Sequence, residues 1–198
     1  LLVKSKARPT DISSLNIDPE KPVCFVLRDK STSDFLVMEH ECINLGLPRP
    51  TDSLNLAGQH LKNAALFLSE KKGWRTTTQN PEKLHQLVEQ VQNNSNLDVQ
   101  LVPVSILWGL QPDKENSIFK ALFSDSWAVP GFIRKLFIII IQGRHTLVHF
   151  NEVLSIKNVL SEMEKEGNSS ELATRKIGRI LRIHFRRQKE TITGPDLS

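Results

Sequence analysis

Residues 23–36 read VCFVLRDKSTSDFL, and the fold turns on them. Val23 to Leu27 form an unbroken apolar run suited to a buried strand, and Asp29 to Ser33 make a short polar turn. From Ser31 onward the apolar spacing changes to helical, with Phe35, Met38, Cys42 and Leu45 on one face and Gly46 followed by Pro48 as a stop signal. A strand that hands over to a helix through a polar turn is where α/β sheets commonly place ligands.

Outward from this unit, strands and helices alternate. Residues 53–57 and 64–68 are strand candidates around the polar turn GQHLKN. Pro81 opens a helix with the stripe Leu84, Leu87, Val88 and Val91. Residues 99–107, VQLVPVSIL, return to a buried strand whose Pro103 disfavours a regularly paired ladder at that point. Residues 119–123 and 132–141 suit helical or mixed segments, 145–150 (HTLVHF) a strand, and 155–166 and 170–190 helices. The order predicts an α/β domain with a largely parallel or mixed sheet, flanking helices and a basic C-terminal helix. Residues 1–20 are expected to form an arm or linker, 21–169 the α/β domain, and 170–198 the basic helix and a connection onward. At 198 residues and 39% apolar content, one substantial core is expected. A first residue other than Met and a GPDLS ending suggest a piece of a longer chain.

Cys24 and Cys42 sit within apolar patterns and suit core thiols in a reducing, cytoplasmic setting. The longest apolar run, 136–141, is far short of the roughly 20 residues a membrane span needs. Of the six histidines, His40, His60, His85, His145, His149 and His184, only His145 and His149 invite a metal reading. On a strand they would stand about 13 Å apart, too far to share an ion. His40 and Glu41 suit ordinary, partly exposed positions within a helix.

At the polar turn, Ser31 and Asp34 fit the N-cap and N3 positions of a capping arrangement, and both Asp29 and Asp34 favour the positive end of a helix dipole. Chemistry there would need a base with a pKa near the working pH. Two aspartates supply one only if burial raises a pKa strongly, and they would repel an anionic substrate from the helix N-terminus. Arg175, Lys176, Arg179, Arg182, Arg186, Arg187 and Lys189 follow one another without an acid, among Leu172, Ile177, Ile180, Leu181, Ile183 and Phe185. Such a helix suits solvated packing on the domain, contact with anionic lipid, or docking on another part of a longer protein. Nucleic-acid binding is not expected, since no recognised module or aromatic platform accompanies the charge. The net charge is only +4.

KARPTDISSLNID at 6–18, VLRDKSTSDFL at 26–36, NNSNLDVQLVPVSILWG at 93–109 and RILRIHFRRQKETITGP at 179–195 occur in an order that resembles the N-terminal region of bacterial membrane-associated glycerol-3-phosphate acyltransferases. Members of that family carry a catalytic His, four intervening residues and an Asp in a domain beyond the region resembled. The resemblance places Asp34 at that aspartate and Asp29 at that histidine, implying a degenerate copy of the catalytic domain. The strands VPVSI and HTLVHF resemble its counterparts. GFIRK at 131–135 and the stretch Glu70, Lys71, Lys72, Gly73 and Arg75 only loosely match the family's phosphate-site blocks. For the full-length enzyme the resemblance implies an acyl-ACP or acyl-CoA donor, no other cofactor, and a peripheral position on the cytoplasmic side of the inner membrane. The implied partners are the following catalytic domain, an anionic membrane surface and acyl-carrier protein. No catalytic or metal-ligating residue is expected to be active in the segment itself. The alternatives are an acid-driven enzyme using Asp29 and Asp34, or a peripheral module that binds anionic lipid or nucleic acid through the basic helix.

Overall fold

A computed structural model of the chain describes residues 5–9, 11–56, 59–72, 75–77, 81–108, 146–164 and 169–193. The polar turn sits between β2 (Val23–Asp29) and α1 (Thr32–Leu45). Ser31 caps α1, its Oγ accepting from Asp34 N at 3.3 Å, and Gly46 ends the helix in the left-handed region at φ 68°. β3 (Leu54–Leu56) pairs with β4 (Gln59–Leu61) as a small antiparallel ribbon, so the expected GQHLKN turn carries a strand of its own. β5 (Ala65–Lys72) and β6 (Arg75–Thr77) follow, then α2 (Glu82–Asn93), entered from an extended Pro81.

β7 (Gln100–Leu107) and β8 (Thr146–Phe150) complete the centre of the sheet. The short β9 (Leu154–Ser155) leads into α3 (Ile156–Glu164), and α4 (Ser170–Thr193) is the basic helix. Ser155 Oγ accepts from Asn158 N at 3.0 Å at the start of α3. Among the described residues, β1 (Ser5–Arg8), β8, β7, β2, β5 and β6 form one mixed sheet in that order, with β9 on β7. The pairs β1·β8, β2·β7 and β2·β5 are parallel, while β7·β8, β7·β9 and β5·β6 are antiparallel.

Alternation along β2 divides the core. Val23, Phe25 and Leu27 face α1 together with Val102, Val104, Val148 and Phe150. Cys24 and Val26 face the other side, where α2, α3 and α4 bury Leu84, Leu87, Ile156, Ile177 and Leu181. Both cysteines are free and buried, and burial pushes the Cys24 thiol up to about 11. β2 is the first strand of the doubly wound unit. The chain crosses to β5 by way of α1 on one face, then back past β2 to β7 by way of α2 on the other. The order reverses between β2 and β7, and the carboxyl ends of these two strands flank a switch-point crevice.

Two further expectations need correction, and one concerning Pro103 is met. Within the expected arm, Ser5–Arg8 is a sheet strand, with Ser5 and Ala7 turned inward and Lys6 and Arg8 exposed, as suits a charged edge. A turn of 3-10 helix, Ile12–Leu15, follows it and buries Leu15. Glu41 is buried rather than partly exposed, because β1 lies over it and the Ser5 hydroxyl donates to its Oε1. Pro103 lies in a central strand but at a tolerant point. On the side of β7 away from β2, β9 pairs with Gln100 and Leu101 and β8 with Val104 onward. The missing N–H falls at the change of partner. His145, the stretches 119–123 and 131–141, Gly73 and the Lys189 side chain lie outside the described residues.

Candidate functional site

The switch-point crevice encloses about 220 Å³, lined by Leu27, Arg28, Asp29 and Asp34 from the β2–α1 unit, Val104 to Leu107 of β7, and Phe185 and Gln188 of α4. That is smaller than the roughly 300–1,000 Å³ of ordinary small-molecule sites. Asp29 and Asp34 both border it, as the strand–turn–helix sequence predicts. Their carboxylates are nevertheless engaged. The Ser69 hydroxyl donates to Asp29 Oδ1, and Arg28 Nε lies 3.7 Å from Asp29 Oδ2. Trp108 Nε1 donates to Asp34 Oδ1 at 2.9 Å.

Burial pushes the Asp34 carboxyl above its usual range, the Trp108 and Ser31 hydrogen bonds pull it back, and the neighbouring Asp29 charge adds to the rise. Asp34 is half-buried, while Asp29 is exposed. The helix-start N–H of Asp34 is committed to Ser31 Oγ, so it is not turned toward an incoming anion. The Ser105 hydroxyl donates to Gln188 Oε1, which fastens α4 over the mouth. The crevice therefore has the position of an active site and polar groups that satisfy one another.

Trp108, Ser69, Ser105 and Gln188 were not singled out by sequence, because their partners stand 74, 40 and 83 positions away. Only the invariant logic of the fold, that β2, β5 and β7 end side by side, brings them together. No group of His, Cys, Asp and Glu among the described residues could hold a metal ion.

The basic helix divides its residues sharply. Ile177, Leu181 and Phe185 are buried against the sheet and α2. Arg175, Arg179, Arg186 and Arg187 are exposed, Lys176 and Arg182 half-buried, and Arg175 pairs with Glu171 at 2.6 Å. On the outer side Leu172, Ile180 and Ile183 remain 46%, 36% and 38% exposed, Leu172 and Ile183 within the arc of the arginines and Ile180 at its edge. No helix among the described residues is long and apolar enough to cross a membrane.

Fold and crevice together define an α/β domain with a mixed sheet and flanking helices, whose switch-point crevice is lined by polar groups that satisfy one another. By sequence the chain belongs to the family described as the glycerol-3-phosphate acyltransferase PlsB N-terminal domain, whose profile matches residues 1–194. It is 38% identical to a glycerol-3-phosphate acyltransferase of Ectopseudomonas mendocina over 208 residues, covering 100% of this chain and 24% of that protein. It is 39% identical to that of Pseudomonas savastanoi pv. phaseolicola over 202 residues and 38% identical to that of Pseudomonas aeruginosa strain LESB58 over 203, with the same coverage of 100% and 24%. The chain thus spans about a quarter of the length of these relatives. No solved structure matches it.

Proposed function

We propose that this domain is the non-catalytic N-terminal part of a glycerol-3-phosphate acyltransferase. The complete enzyme moves an acyl group from an acyl-ACP or acyl-CoA thioester to the sn-1 hydroxyl of glycerol 3-phosphate. In such a reaction a histidine oriented by an aspartate takes the hydroxyl proton, and cationic groups receive the phosphate. The resemblance sets Asp29 at that histidine's position; its carboxylate accepts from Ser69, and this self-satisfied crevice is the observation that supports the proposal. The Asp29 carboxylate accepts from the Ser69 hydroxyl and lies beside the Arg28 guanidinium, so it is engaged within the domain. The domain's work is to scaffold the catalytic domain that follows it. The test is acyl transfer by the purified chain, supplied with glycerol 3-phosphate and an acyl-CoA thioester. No product above background is expected; turnover abolished by Asp29→Asn would favour the acid-driven alternative.

The outer face of α4 favours a second role, holding the enzyme at the cytoplasmic face of the bacterial inner membrane. Leu172 and Ile183, within a cationic arc, and Ile180 at its edge supply shallow apolar burial. Each exposed cation near an anionic surface contributes about 1 kcal/mol. Arg179→Ala with Arg186→Ala is therefore expected to weaken flotation with phosphatidylglycerol-rich vesicles by roughly thirtyfold at low salt. Equal flotation with phosphatidylcholine vesicles, or none with either, would remove this role and leave the face to a protein partner.

A further inference from the structure

Ser105 of β7, His149 of β8, Asn151 just beyond it, and His184 and Gln188 of α4 meet where the end of α4 crosses the sheet. One group in this cluster has no choice of role, and it fixes the others. The Pro103 carbonyl accepts from the Asn151 backbone N and from Asn151 Nδ2, each at 3.0 Å. A carbonyl only accepts, so Asn151 must turn its NH2 toward Pro103 and its Oδ1 away. That Oδ1 lies 3.1 Å from Gln188 Nε2, which sets the Gln188 amide in turn. Gln188 Oε1 then takes the Ser105 hydroxyl, with Asn151 Nδ2 at 3.4 Å. Gln188 Nε2 also stands 2.8 Å from His149 Nδ1. An amide NH2 only donates, so Nδ1 must offer a lone pair and the His149 imidazole must be neutral.

We propose that this cluster is a pH-sensitive latch: neutral His149 fastens the C-terminal turns of α4 across the switch-point crevice, and protonation of His149 releases them. A proton on Nδ1 sets two donors face to face. Rotating the Gln188 amide does not relieve this, since it would turn Oε1 onto Asn151 Oδ1, and Asn151 is held by Pro103. Among the described residues, the groups facing the imidazole add no anion. Arg8 is its register partner on β1, Ser105 its partner on β7, and His184 faces it from α4 with a buried Nε2 that has no hydrogen-bond partner. Burial and the Arg8 charge push His149 below its ordinary 6.5, against the opposing Asn151 hydrogen bond. Burial and then His149 do the same to His184. With the folded pKa depressed, the latch contributes stability above the unfolded imidazole pKa of about 6.5 and loses it as pH falls through the folded value. The latch rests on these contacts alone and does not depend on the acyl-transfer proposal.

The experiment is amide hydrogen exchange of the chain, with rates corrected for the intrinsic pH dependence of exchange, at about pH 7.5 and about pH 5. Protection of backbone amides 185–193, relative to 173–181, is expected to fall on acidification with a slope approaching tenfold per pH unit. His149→Gln should flatten that dependence. Protection of 185–193 that does not change with pH in the unaltered chain, or that changes equally in His149→Gln, would overturn the latch.

Discussion

Replacing Phe25 with alanine is expected to lower the stability of the domain by about 3–5 kcal/mol, a large share of the roughly 5–15 kcal/mol that holds a domain of this kind folded. Phe25 is 0% exposed on β2, which is paired on both sides, by β7 and by β5. Its ring meets Phe150 edge-on, with centroids 6.2 Å apart and planes at 72°. The loss combines transfer of the ring to water, the aromatic pair and a cavity the site cannot close. Collapse would require β2 to move, and two parallel ladders hold it in register. Urea unfolding should show a lower midpoint at an unchanged slope, the sign that stability and not compactness has changed.

Replacing Gln100 with alanine is expected to cost about 2–3 kcal/mol through a different mechanism. Gln100 is 2% exposed, and its side chain serves backbone groups that have left regular structure. Oε1 accepts from Asp18 N at 2.8 Å, while Nε2 donates to Asp18 O at 2.8 Å and Lys21 O at 3.2 Å. Alanine leaves three backbone groups without these partners, one donor and two acceptors, in a partly buried position. The damage should be local before it is global. Limited proteolysis should cut the altered chain within residues 9–22, ahead of unfolding of the core, whereas Phe25→Ala should loosen the whole domain together.

The elements legible in the sequence were those whose signals are local. Ser31 and Gly46 bracket α1 by capping chemistry, and the stripe Leu84, Leu87, Val88 and Val91 is buried as its spacing predicts. The strand–turn–helix at Val23 to Leu36 placed Asp29 and Asp34 correctly at a crevice. β1 escaped because four residues carry too short an alternation, and its pairing partner β8 is about 140 positions on. For the same reason the Trp108 indole on Asp34 and the Gln188 amide over Ser105 were invisible: the topology creates those contacts. In sequence the basic helix is a charge pattern; its docking on the sheet turns Leu172, Ile180 and Ile183 outward and Ile177 and Leu181 inward. Pro103 is the instructive case. Its missing N–H marks an interrupted ladder, as expected, and its carbonyl fixes the hydrogen-bond directions of the latch.

The central proposal is that the polar turn retains the outline of an active site without its chemistry. Its most direct test is acyl transfer by the longer acyltransferase that carries this domain, comparing the unaltered enzyme with Asp29→Asn and Asp34→Asn at matched thermal stability. The expected result is kcat/KM within about twofold of the unaltered enzyme for both variants, since neither carboxylate handles a proton in the reaction. A loss of roughly 10²–10⁴-fold in either, the range for removing a general acid or base, would contradict it.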